Sequence, residues 1–193
     1  MNRPRFEGKI AVVTGGASGI GAEIARQLVQ EGARIVVADM NDPAGADLVA
    51  ALGDDKAIYR HCDVSVAAEI DAAIQLAVDT WGGLDLLFNN AGILCDLGTT
   101  PDTTARSWER VIAVDLNSVF YGCHAAIPHL RRRGGGAIVN TASISGLGGD
   151  YGANAYNAAK GGVVNYTRTL AIDHAAENIR VNALCPGYID TAM

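Results

Sequence analysis

The chain has 193 residues, 49% of them hydrophobic and 19% charged, with 15 Lys and Arg against 21 Asp and Glu for a formal net charge of -6. A single domain of this length buries about 70% of its unfolded surface without needing a disulfide or metal, and the apolar fraction excludes intrinsic disorder. The acidic balance argues against a nucleic-acid partner, and no apolar run reaches the ~18–20 residues that cross a bilayer, so no membrane partner is expected.

The elements alternate. Residues 9–13 form a short apolar run ending in glycines, the pattern of a buried strand. Ile20, Ile24, Leu28 and Val29 then recur at helical spacing, with Gly32 as the stop. A second strand follows at 34–39, a helix at 44–52 closed by Gly53, and a third strand at 57–62. A helix at 67–81 ends on Gly82 and Gly83, and a fourth strand follows at 84–88. After a loop at 92–103, a long helix is predicted over 107–132, kinked or ended early by Pro128. Its basic end, Arg131, Arg132 and Arg133, suits the negative pole of the helix dipole. A fifth strand at 137–141, a helix at 155–176 and a sixth strand at 180–184 complete the pattern. Six strands alternating with helices imply an α/β Rossmann-like fold, a doubly wound parallel sheet in the order 3-2-1-4-5-6. No linker or internal repeat divides it, so residues 1–193 read as one domain.

The first residues, Met1 to Glu7, lack the apolar stretch of a signal peptide, which predicts a cytoplasmic protein. Cys62, Cys95, Cys123 and Cys185 form no CxxC pair and have no His at zinc spacing. No metal site is expected, and the cysteines read as free buried thiols in a reducing cytosol.

The turn from Thr14 to Gly21 lies between the first strand and the first helix, where a phosphate site belongs. Gly15, Gly19 and Gly21 let the backbone turn and approach a pyrophosphate, and the helix start at Ser18 and Ile20 offers free N–H groups. The plainer alternative is a glycine-rich turn with no ligand. Asp39, at the end of the second strand and about 20 residues on, can accept from both adenosine ribose hydroxyls; otherwise it caps the turn before Ala44. A carboxylate there repels a 2′-phosphate, and no Lys or Arg flanks the glycines, so NAD is favoured over NADP. No P-loop sequence is present.

Tyr156 and Lys160 stand at i and i+4, on one face of a helix. A neighbouring ammonium and a helix N-terminus both favour a phenolate, which would bring the tyrosine towards a useful proton-transfer range. Taken alone, the pair is an ordinary half-buried Tyr and solvated Lys. Ser143, 13 residues before Tyr156 and just past the fifth strand, supplies a hydroxyl for a substrate oxygen; Ser145 is its rival.

With these residues assembled, the sequence resembles the short-chain dehydrogenase/reductase family, in its compact single-domain branch. The resemblance rests on the 14–21 turn, Asp39, Asp63 with Val64, Asn89 to Gly92, Ser143, Tyr156 with Lys160, and Pro186 with Gly187. It implies that Tyr156 is the general acid/base, that Lys160 lowers the tyrosine pKa and holds the nicotinamide ribose, and that Ser143 positions the carbonyl or alcohol. It further implies that Asp63 and Val64 flank the adenine and that Asn90, Ala91 and Gly92 line the adenosine side. Asn89 would tie strands together, while Pro186, Gly187, Ile189 and Thr191 would wrap the nicotinamide end. For Asp63 the alternative is a helix-start cap, and for Pro186 and Gly187 a plain turn.

Two departures stand out. The family often carries a catalytic Asn in the long helix; the matching position here is Asp115, and Asn117 lies about 200° around a regular helix from it. The run 186–193 also ends where the family continues into a substrate lid and a seventh strand. That strand is not in the given run, and the expectation is a truncated or partly ordered form of a longer chain, with the sixth strand as an exposed edge.

The expectation is therefore an NAD-dependent oxidoreductase interconverting a secondary alcohol, such as a small diol, a hydroxy-ketone or a cyclic alcohol, and its ketone. By resemblance it is a homodimer or homotetramer. The alternatives are a catalytically silent NAD-binding sensor or scaffold on the same fold, and a Rossmann-like methyltransferase.

Overall fold

Residues 4–191 are described by a computed structural model; residues 1–3, from the N-terminal stretch, and 192–193, from the terminal run, lie outside the described residues. Six strands, β1 (Ile10–Thr14), β2 (Arg34–Asp39), β3 (Ala57–His61), β4 (Leu86–Asn89), β5 (Gly136–Thr141) and β6 (Ile179–Leu184), form one parallel sheet. Their order is β3-β2-β1-β4-β5-β6, as the alternating pattern predicts. Among the described residues β6 pairs only with β5 and is an edge.

The period of two along each strand separates two cores. Ile10, Val12, Val36, Leu87, Ile138 and Val181 point to the face covered by α3 (Ala67–Trp81), α5 (Ser118–Arg132) and α6 (Asn154–His174). Ala11, Val13, Ile35 and Val37 point the other way, against α1 (Gly19–Gln30) and α2 (Asp42–Leu52). Val12, Val36, Leu87 and Ile138 are at most 1% exposed. At about 1.5–3 kcal/mol for each such side chain, burial outweighs surface ion pairs at about 0–1 kcal/mol.

One polar clamp sits at the opposite end of the sheet from the glycine turn. The Asp85 carboxylate, before β4, accepts from the Ile10 N–H at 3.0 Å, Lys9 Nζ at 3.3 Å and Arg133 Nη2 at 3.1 Å. Burial alone would raise Asp85, but these donors hold it below the usual carboxylate range.

The long helix differs from expectation. It begins at Ala105, with Thr104 as N-cap accepting from the Ser107 N–H at 3.1 Å, and runs as α4 (Ala105–Ile112). A π-helical turn at Ala113–Asn117 follows, and then α5. Pro128 neither ends nor breaks α5: it lies on the exposed side of the helix, where a missing N–H is least costly. The irregular turn falls at Asp115 instead. By length and composition Ala105–Arg132 is the one helical stretch among the described residues that passes for a membrane span. Its buried Val111, Asp115, Val119, Cys123 and Leu130 pack within the protein, as in a core helix.

The thiols also depart from expectation. Cys62 and Cys123 are buried, and burial pushes each up to about 12. Cys95 and Cys185 are only half-buried, because they sit in the loops after β4 and β6 rather than in the sheet.

Candidate active site

The carboxyl ends of the strands open on one edge of the sheet, and the crossovers reverse direction between β1 and β4, which leaves a crevice there. A cleft of about 940 Å³ occupies it. Every residue singled out from the sequence as binding or catalytic lines this cleft except Gly21. Gly21 is buried beneath the turn, where a Cβ would strike the Gly15 carbonyl and the Asn90 amide. It acts as the close-packing glycine between helix and sheet.

At one end of the cleft the backbone makes the site. Gly15 has φ +60°, and a Cβ there would lie 2.7 Å from Ala91 Cα, so only glycine fits between β1 and β4. Ser18 is the N-cap of α1 but its side chain caps nothing, and the first turn of α1 has no acid. The helix N–H groups therefore face the cleft with neither a side-chain acceptor nor a repelling carboxylate, as an anion requires. Asp39 accepts from the Ala17 N–H and from the Asn41 N–H, each at 3.0 Å, which fixes the carboxylate at the end of β2. It does not cap α2; Asn41 does, accepting from the Ala44 N–H at 3.2 Å. Asp63 likewise is not the α3 N-cap, which is Val66; Asp63 accepts from the Ser65 N–H and hydroxyl at 2.9 and 2.7 Å. Among the described residues lining the cleft the cations are Arg110 and Lys160, neither on an element beside Asp39.

Asn90 does more than line the groove. Its Nδ2 donates to the Thr14 and Gly15 carbonyls at 3.3 and 3.2 Å, pinning the glycine turn to β4. Asn89 ties β4 to β5, donating to Asn140 Oδ1 at 2.9 Å, and Asn140 donates to Thr167 Oγ1 on α6 at 3.0 Å.

At the other end Ser143, Tyr156, Lys160 and Asp115 converge. Ser143 Oγ accepts from the Ser145 N–H at 3.1 Å, which leaves its own proton aimed elsewhere. Ser145 is no rival, since its hydroxyl is bonded to the Asp150 carboxylate. Lys160 is 3% exposed; its Nζ donates to the Thr141 carbonyl at 3.0 Å and lies 5.5 Å from the Tyr156 ring centroid. Asp115 is fully buried, with Oδ2 3.3 Å from Lys160 Nζ and Oδ1 accepting from the Ile93 N–H at 2.9 Å. Tyr156 differs from expectation. Burial pushes its hydroxyl above the ordinary tyrosine range, the Ser143 hydroxyl opposes this, and Asp115, Cys95 and Asp150 add to it. The depression expected beside a lysine does not prevail in this site.

Sequence reasoning missed several contributors. Thr14 is a hub: its Oγ1 accepts from the Asn90 and Ala91 N–H groups at 3.0 and 3.2 Å, and only pairing of β1 with β4 places them there. Asn154 joins the two loops at the cleft mouth, donating to the Gly98 carbonyl at 3.0 Å and Thr103 Oγ1 at 2.7 Å. Leu94, Leu97, Ile144, Tyr151 and Tyr188 line the mouth and stay exposed. Their scatter over three loops gives no periodic signal.

Comparison with known proteins agrees with this geometry. Residues 9–193 match the family model described as short chain dehydrogenase. The chain is 43% identical over 192 residues to a cyclohexanol dehydrogenase from Acinetobacter sp. (strain SE19), covering 98% of this chain and 76% of that one. It is 40% identical over 189 residues to a meso-2,3-butanediol dehydrogenase from Serratia marcescens, covering 98% and 74% respectively. The crystal structure of a levodione reductase superposes with a TM-score of 0.94 at 35% identity, covering 98% of this chain and 75% of that one. With its parallel sheet, glycine turn and Ser143, Tyr156 and Lys160 on one cleft, the chain belongs to the short chain dehydrogenase family.

Proposed function

We propose that this protein is an NAD-dependent dehydrogenase that interconverts a secondary alcohol and its ketone, acting as a homo-oligomer. The observation that carries the reading is the convergence of Ser143, Tyr156 and Lys160 at one end of a cleft whose other end is built for a dinucleotide. The glycine turn and the uncapped α1 N-terminus fit a pyrophosphate, and the fixed Asp39 carboxylate fits two unsubstituted ribose hydroxyls. A 2′-phosphate would meet that carboxylate, and among the described residues lining the cleft neither cation, Arg110 or Lys160, lies on an element beside it.

The nicotinamide group, when bound, supplies or takes up the hydride. The protein handles the proton and the oxygen. In oxidation the alcohol passes its hydroxyl proton to the Tyr156 oxygen as the carbon-bound hydrogen leaves with its electron pair. In reduction the Tyr156 hydroxyl returns a proton to the oxygen of the former carbonyl. Ser143, whose oxygen is occupied by the Ser145 N–H, donates its own proton to the same substrate oxygen and steadies the charge developing there. Lys160, held by the Thr141 carbonyl, lines the same cleft and would hold the nicotinamide ribose. The apolar mouth of Leu94, Leu97, Ile144 and Tyr151 favours a hydrocarbon body around the reacting carbon. Relatives named cyclohexanol, butanediol and 3-alpha-(or 20-beta)-hydroxysteroid dehydrogenase support a substrate range from small diols to cyclic alcohols.

The test is nicotinamide absorbance with NAD and NADP against a panel of linear and cyclic secondary alcohols. Turnover with NAD and weak turnover with NADP is expected, and Tyr156→Phe is expected to lose at least about 10²-fold in kcat. Preference for NADP would overturn the cofactor reading, and full activity of Tyr156→Phe would overturn the mechanism. Saturable NAD binding with no turnover on any alcohol would favour the silent sensor.

A further inference from the structure

We propose that Asp115 is the counter-ion of Lys160 and acts as a positioning residue for proton transfer, cancelling much of the ammonium field at Tyr156 so that the tyrosine rests as a proton donor. This rests on the proposed dehydrogenase reading and adds to it the control of the proton.

The geometry is specific. Asp115 sits on the π-helical turn between α4 and α5, fully buried, with Lys160 as its cationic neighbour at 3.3 Å. Oδ1 is taken by the Ile93 N–H, whereas Oδ2 has no hydrogen-bond partner. A buried, unpartnered carboxylate oxygen is costly unless a charge faces it, and here the lysine does. Gly92 packs against both groups: a Cβ there would come 3.2 Å from Lys160 Nζ and 3.3 Å from Asp115 Oδ2. The pair is thus closed in by the loop after β4, α6 and the π turn.

A lone ammonium beside Tyr156 would favour the phenolate; an ammonium paired with a carboxylate presents a dipole of no net charge. The other groups facing Tyr156 are the Ser143 hydroxyl after β5, Cys95 in the loop after β4, and Asp150 in the loop before α6, with Arg110 of α4 on the same cleft. Burial, Asp115, Cys95 and Asp150 all hold the proton on the tyrosine, and the Ser143 hydroxyl alone works against them. Asp115 is itself raised by burial, with Lys160 and the Ile93 N–H opposing. The consequence is a site ready to reduce ketones near neutral pH and to oxidise alcohols at higher pH.

The test is Asp115→Asn, which keeps the size and an oxygen for the Ile93 N–H while removing the charge. Two readouts are needed. The first is a tyrosinate absorbance titration of the cofactor-free protein, with Tyr156→Phe subtracted to isolate Tyr156. Its midpoint is expected to fall by about one pH unit in Asp115→Asn. The second is the pH profile of kcat/KM for alcohol oxidation, whose acid limb is expected to move down by a similar amount. A merely structural Asp115 would lower Tm or kcat and leave both midpoints in place. An unmoved or raised Tyr156 midpoint overturns the proposal. If the midpoint falls but the unaltered protein turns over no alcohol, the counter-ion stands and the dehydrogenase reading fails.

Discussion

Replacing Asp39 tests the cofactor end of the cleft most directly. Asp39→Ala removes the acceptor that the proposed function assigns to the ribose. Its two oxygens each keep lone pairs after accepting from the Ala17 and Asn41 N–H groups at 3.0 Å, so both remain available to a hydroxyl. Hydrogen bonds to a charged group are worth about 1.5–3 kcal/mol each, and two at the lower end give about 3 kcal/mol, roughly 150-fold in Kd. NAD affinity is expected to fall by that order, while NADP affinity holds or improves because the repulsion of a 2′-phosphate is gone. Calorimetric titration with each cofactor measures both arms. Loss of the acceptor for the two backbone N–H groups also loosens the turn, so the melting temperature is measured in parallel. Asp39→Asn separates charge from shape, since it keeps the side-chain volume and one oxygen. NAD affinity unchanged within threefold in a normally folded Asp39→Ala would refute the assignment of Asp39 to the ribose.

Two further outcomes follow from the packing. Asp85→Ala leaves the Ile10 N–H without its acceptor, while Lys9 and Arg133, both partly exposed, fall back to solvent. The cost is about 2 kcal/mol, or about 4–8 °C in Tm for a domain of this size. Because Asp85 is held below the usual carboxylate range, its contribution is present above the unfolded-state value near pH 4 and is lost as pH falls through the folded value. Acid unfolding followed by circular dichroism is therefore expected to show the variant and the parent converging at low pH. Gly122→Ala would drive a methyl into the Asn89 side chain and disturb the Asn89, Asn140 and Thr167 chain that ties β4, β5 and α6 together. A fall in kcat together with Tm is expected, and a variant unchanged in both would show that α5 yields at that point.

The order of elements was legible because it is written in local signals. Strand cores such as Val12 and Val36 alternate with helices whose apolar residues recur every three or four positions, and glycines punctuate the joins. Those signals place α3 at Ala67–Trp81 and β2 at Arg34–Asp39 as expected, and most other ends within two residues. The glycine turn, Asp39, Ser143, Tyr156 and Lys160 were readable for the same reason: each lies at a fixed offset from an element end, and a parallel sheet gathers those ends on one edge.

Other features depend on atoms far apart in the chain. The π turn at Ala113–Asn117 leaves no trace in hydrophobic periodicity, because the buried positions Val111, Asp115, Val119 and Cys123 recur every four residues across it, a spacing that a regular helix also shows. Thr14 looks like any residue ending a strand until β4 brings Asn90 and Ala91 alongside. Asp85 looks like a strand-start acid until Lys9, from before it, and Arg133, from after it, arrive from distant parts of the chain.

The sequence by itself determined the strand order, the glycine turn after β1 and the gathering of Ser143, Tyr156 and Lys160 on one cleft, since local spacing dictates them. Only the tertiary structure decided the electrostatic state of those residues. Burial raises the Tyr156 hydroxyl against the opposing Ser143 hydroxyl, and packing sets Asp115 against Lys160. Charge interactions depend on distance and on exclusion of water, and neither exists until the sheet, α6 and the π turn have packed together.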